Sequence, residues 1–335
     1  MKKLFFAILI IAYSCNNGAD TSTKIVEDVN NNEYSELDSL SQAIIDSPEN
    51  SNTYYKRSLY FYSENELDQA LGDITRALKI DESVAEFYFV EANIYYDQQR
   101  FKEAFESYQR VYELDNENEL AILKLSQIEL ILKNYDLAIE MVNKALKLNS
   151  MNANAYYLKG IIYLDGADTA TALSSFQTAI EVDPSHFDSY IILGKIWSTE
   201  NYEYSESYYN QALLIDTASV EALYNIGLLY QSYDGYDEAF TIYDRIISID
   251  SAAYFAYYNK GYVLLISDSS YTEAIDLFKK AIVYYPYYHQ AYYNIGLCYE
   301  NLEDLTLAEE NYKKALEINP QFDLAARGLS RILDN

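Results

Sequence analysis

Proline, glycine, histidine, cysteine and positive charge are all scarce in this chain of 335 residues. Four prolines and ten glycines are too few for a turn-rich β fold, so helices are favoured. The two histidines, His186 and His289, lie far apart and not at ligand spacing with cysteine or acids; each falls in a turn and is expected to be solvated. No GxGxxG, P-loop, GxSxG or D-x-D-x-D-G stretch occurs. Paired acids such as Glu309-Glu310 read as solvated faces, so no catalytic constellation, metal site or cofactor is expected. Lysine and arginine number 24 against 52 acids, and the formal net charge is −28. That field repels nucleic acid and acidic lipid headgroups, which excludes DNA and RNA as partners. Apolar residues nevertheless make up 50%, ample for a core, and tyrosine is abundant at 38. A tyrosine buries a ring and keeps a polar tip, which suits half-buried surfaces.

The apolar run Leu4–Ala12 is too short to cross a bilayer. With Lys2 and Lys3 before it and Ser14-Cys15 after it, residues 1–14 read as a secretory signal. Cys after Ser resembles the lipobox of bacterial lipoproteins, although Ala12 and Tyr13 depart from the usual residues. The resemblance implies cleavage before Cys15 and lipid on its sulfur, hence a membrane anchor. Asn16, where an aspartate would retain the protein at the inner membrane, implies the outer membrane. Residues 15–33 are polar and read as a flexible tether with a reach of roughly 20–25 Å. Cys298 then lacks a disulfide partner and reads as a small buried filler.

The rest of the chain repeats. Gly160, Gly194, Gly227, Gly261 and Gly296 recur at 34, 33, 34 and 35 residues. Twelve residues on comes a small residue in most units (Ala70, Ala104, Ala138, Ala172, Ala239, Ala274, Ala308), and seven later another (Ala77, Ala145, Ala179, Ala212, Ala281, Ala315). Pro184, Pro286 and Pro320 close units, and Pro48 closes a partial one. The best unit reads Tyr292, Ile295-Gly296, Tyr299, Ala308, Tyr312, Ala315, Pro320. This pattern resembles the tetratricopeptide repeat. The resemblance implies an all-α solenoid, a right-handed superhelix of about eight helix pairs over residues 51–321. A capping half-repeat at 34–50 and a capping helix at 322–335 are expected to close its ends. Ser58, Ala92 and Ser126 replace the glycine, Ser205 the first alanine, and Glu129 a tyrosine, so the first three units are expected to pack less closely. Trp197 stands at the second tyrosine position and reads as core.

In that family the first helix of each pair lines a concave groove, which implies a protein or peptide ligand. Groove positions hold Tyr157, Tyr224, Tyr258 and Tyr293, with Leu228, Tyr262 and Leu297 one turn further on. Asn225, Asn259 and Asn294 sit beside them in the last three units. A primary amide both donates and accepts, so stacked asparagines could hold a peptide backbone whatever its sequence. Position five is never lysine, which argues against capture of a C-terminal carboxylate. The expectation is an envelope-anchored interaction scaffold and not an enzyme. A glycan-binding surface lipoprotein, stacking sugars on groove tyrosines, stays open as the alternative, as does the oligomeric state.

Overall fold

The computed structural model describes residues 36–267 and 269–333. The signal, Cys15 and the tether lie outside the described residues. Among those described, 18 helices follow one another without a strand, so the all-α reading holds. A lone helix, α1 (Glu36–Asp46), precedes eight helix pairs. Their first, or A, helices are α2 (Ser51–Ser63), α4 (Ala85–Asp97), α6 (Glu119–Ile131) and α8 (Ala153–Asp165), then α10 (Phe187–Trp197), α12 (Val220–Ser232), α14 (Tyr254–Ser267) and α16 (His289–Asn301). Their B helices are α3 (Leu67–Ile80), α5 (Phe101–Leu114), α7 (Tyr135–Leu148) and α9 (Thr169–Val182), then α11 (Tyr202–Ile215), α13 (Tyr236–Ile249), α15 (Tyr271–Tyr284) and α17 (Leu305–Ile318). A last helix, α18 (Asp323–Leu333), packs on α17 and α16.

Each helix packs mainly on its chain neighbours, the one-dimensional stacking of a solenoid. Successive A helices also meet, as α2 with α4, α6 with α8, and α14 with α16. No pair of B helices comes as close, so the A helices line the inside of the curve.

Small residues set the spacing within each pair. All the repeated alanines are fully buried. A Cβ added to Gly160 would lie 2.5 Å from the Phe176 ring, and one on Gly194 2.5 Å from Tyr209. The expected looseness of the first three units is not found: Ser58, Ala92 and Ser126 are as buried as the alanines that face them. In the first and third units the reason is compensation across the helix crossing, whereas Ala92 of the second keeps the aromatic Tyr108 in the same buried cluster. Where serine replaces glycine, the aromatic opposite gives way to slimmer Ile74 or Val142, both fully buried. The serine hydroxyls also donate across the crossing, Ser58 to the Ala70 carbonyl (2.9 Å) and Ser126 to that of Ala138 (2.8 Å).

Two turns alternate. Between units, an Asp or Asn after the B helix accepts a hydrogen bond from the backbone N–H two residues on, as Asp81 does from Ser83 (3.0 Å) and Asp183 from Ser185 (2.9 Å). Tyr285 takes that place in the seventh unit. Within units, the turn passes through one left-handed residue, such as Asn65 (φ 61°) or Glu303 (φ 63°). The fifth unit has none: α10 is shorter, ending at Trp197, and four residues instead of three lead to α11, with Ser205 following Gly194 one residue early. Trp197 is half-buried against Tyr204 (ring centroids 5.2 Å), and its buried indole N–H has no hydrogen-bond partner.

Candidate binding groove

At the C-terminal end of the concave side lies a hollow of about 530 Å³. Helix α14 gives it Tyr258, Tyr262, Leu265 and Ile266, and α16 gives Gln290, Tyr293, Asn294, Leu297 and Asn301. Tyr271 at the start of α15 and Phe322 and Leu324 by the last helix complete the wall. Five residues expected in the groove therefore come together here: Tyr258, Tyr262, Tyr293, Asn294 and Leu297. Tyr157, Tyr224, Asn225, Leu228 and Asn259 do not border it.

The asparagines are not a row of open amides. Asn225 Nδ2 donates to its own helix at the Glu221 carbonyl (2.9 Å). Asn259 is buried and does the same with Phe255 (2.7 Å). Asn294, also buried, donates to the Tyr258 hydroxyl (3.1 Å), tying α16 to α14 at the hollow's edge. The tyrosines divide likewise. Tyr224 meets Phe255 edge-on at 5.0 Å, and Tyr157 packs on Phe176 and His186, so these rings are wedges between units. Tyr258 lies 5.5 Å from Phe278, and burial pushes its phenol up to about 12. Tyr293 is held between Tyr312 and Phe322 (5.8 and 5.5 Å). Tyr258 and Tyr293, two of the hollow's phenols, thus rest against packed rings.

Residues that sequence reasoning had not singled out came from three sources. Gln290, Leu265, Ile266 and Asn301 occupy other A-helix positions of the same inner face, and Tyr271 opens the B helix α15. Phe322 and Leu324 belong to the end of the chain, read only as a cap. That cap is latched: Arg331 grips Glu300 with two bonds (2.5 and 2.7 Å), and the Tyr312 hydroxyl donates to Glu300 (2.5 Å). The hydrogen bonds from Arg331 hold the Glu300 carboxyl below its ordinary range.

The histidines depart from the expected solvated turns. His186 is buried at the start of α10, where its Nδ1 accepts from the Ser189 N–H (3.3 Å) and Nε2 pairs with Asn154 Oδ1 (3.1 Å). Burial lowers its pKa against the pull of Asp188 and Asp183. His289 is partly buried, edge-on to Phe322 at 4.7 Å. Tyr157 and Asn154 of the preceding unit cover His186, and Asn319 and Phe322 after α17 cover His289. Cys298 is fully buried, its thiol pushed up to about 12 by burial.

Stacked helix pairs with an inner face of aromatic and amide side chains define a helical-repeat scaffold. Family models described as tetratricopeptide repeat match residues 55–119, 123–186, 220–252 and 289–322, and the chain belongs to that family. A TPR repeat-containing protein of Methanocaldococcus jannaschii is 28% identical over 166 residues, 48% of this chain and 29% of that protein. The peroxisomal targeting signal receptor of Kluyveromyces lactis is 32% identical over 87 residues, 26% of this chain and 15% of the receptor. The chain thus matches under a third of the length of either relative. Among solved structures, the C-terminal part of a TPR repeat-containing protein from Cytophaga hutchinsonii aligns with TM-score 0.60 at 18% identity, covering 72% of this chain and 99% of that one. A tetratricopeptide repeat protein from Parabacteroides merdae gives 0.53 at 18% identity, covering 75% and 99%. Both show likeness of fold.

Proposed function

We propose that this chain is an envelope-anchored interaction scaffold that holds a segment of another protein in its concave groove. The observation that carries the reading is the hollow at the C-terminal end, where five of the groove residues named from the repeat pattern converge on one concavity. Its size falls within the roughly 300–1,000 Å³ of ligand pockets, and its aromatic walls with a few amides suit a peptide. One relative is named as a receptor for a targeting signal, in keeping with recognition of a segment. The anchor rests on residues 1–15 alone.

A photo-crosslinking residue placed at Tyr262, on the inner face, tests the groove against one at Lys102, whose side chain is 86% exposed on α5. Partner adducts should form from position 262 and not from 102; the reverse pattern would remove the groove reading. Substituting Cys15→Ser should release the protein from membranes into the soluble fraction. Unchanged retention would remove the lipid anchor and leave the scaffold untouched.

A further inference from the structure

The concave side is not uniform in charge. Along its earlier part lie Lys124, half-buried over the Tyr96 ring at 4.9 Å, and the ion pairs Lys133–Asp165 (2.5 Å) and Lys195–Glu221 (2.8 Å). The hollow over the last two units differs. None of its twelve lining residues carries a carboxylate, an ammonium or a guanidinium group. Beside it, Glu300 and Arg331 satisfy each other. A charge pushed into this space would lose water and meet no counter-charge, which disfavours it. Peptide groups, by contrast, would find phenol hydroxyls and the Gln290 amide.

Aromatic surface runs on from the hollow over its rim. Tyr258 lies 4.6 Å from Tyr288, Tyr288 5.4 Å from Tyr254, and Tyr254 4.9 Å from Tyr285. This track ends near Tyr287 and Val283, which are 71% and 74% exposed. Residues 254–335, which surround this neutral patch, carry seven lysines and arginines against eleven acids within a chain of net charge −28, a field that draws cations towards it.

We infer that the hollow selects a segment of another polypeptide with an uncharged run of a few apolar side chains, flanked by lysine or arginine. The apolar run fills the hollow and the tyrosine track, and the basic flanks sit in the acidic field outside. This inference rests on the groove reading and sharpens it.

Synthetic peptides test it on the full chain by fluorescence anisotropy. One has an Ile-Leu-Phe-Leu core between lysine flanks, a second the same core between glutamate flanks, and a third a Glu-Lys-Glu-Lys core between lysine flanks. The first should bind. The second should bind more weakly at low salt, the gap closing as salt is added. The third should bind about tenfold or more weakly than the first, as follows from leaving one apolar side chain unburied. Leu324→Asp, at a half-exposed site on the last helix, should weaken the first peptide by about the same factor, and Ile161→Asp, in the fourth unit, should not. Unchanged circular dichroism shows that each variant is folded, and Leu324→Met should restore binding.

Equal binding of the charged core, indifference to Leu324→Asp, or no binding of any peptide would overturn the inference. If partner adducts still form from position 262, the groove reading stands without it. Adducts from position 102 alone would remove both.

Discussion

Gly160 shows how one residue governs a helix crossing. A methyl group there would lie 2.5–2.8 Å from three atoms of the Phe176 ring, itself fully buried. Gly160→Ala should therefore cost about 1–3 kcal/mol through overpacking, read as a lower denaturant midpoint. Adding Phe176→Ile should recover part of the loss, since Ser58 with Ile74 and Ser126 with Val142 are natural versions of that exchange. A strictly additive double mutant would contradict the compensation described for the first and third units. The glycine beat was legible in the sequence because it recurs at one phase. Its partner was not, since the compensating residue lies sixteen positions away on the facing helix and varies with it. The asparagines teach the same lesson. Their recurrence was plain, but only coordinates show Asn225 and Asn259 turned onto their own helices while Asn294 supports Tyr258.

At the scale of the element, α10 starts on a neutral imidazole. His186 Nδ1 accepts from the Ser189 backbone and hydroxyl only while it carries no proton. Burial lowers the folded-state pKa, so the unfolded chain binds the proton more readily. Stability from this group is complete above the ordinary imidazole value near 6.5 and is lost as pH falls towards the lower folded value. Denaturant midpoints should thus decline between about pH 6.5 and 5, before carboxylates titrate. His186→Asn keeps an acceptor at the helix start and should flatten part of that decline, the rest belonging to His289, also lowered by burial. An identical profile in the variant would refute the assignment. Reading the turn as solvated failed because sequence shows that a residue is in a turn, and only the stacking of units shows what covers the turn.

For the whole molecule, tyrosine sets the alkaline limit. Tyr108, Tyr243 and Tyr312 are fully buried, and Tyr209 is 2% exposed. Burial drives each of these phenols above its ordinary value. Above about pH 10 the unfolded chain sheds phenolic protons that the folded chain retains, so stability must fall as pH rises. Helicity should persist to about pH 10 and then collapse cooperatively, with a delayed step of tyrosinate absorbance at the collapse. Full ionisation of the tyrosines before helicity changes would show that these rings are not structural. Because units contact only their neighbours, their loss should spread along the stack.

The recurrence of small residues, aromatics and prolines determined the helices, their pairing and the direction of growth, because each depends on contacts within one unit or between adjacent units. The inner face followed too, as a set of positions. Which of those positions meet in a cavity was decided by tertiary structure: Tyr258 and Tyr293 belong to different units, and Leu324 to the closing helix. A hollow is space left over when neighbours are packed, and its walls depend on how far each unit leans on the next, a quantity no single unit's sequence contains.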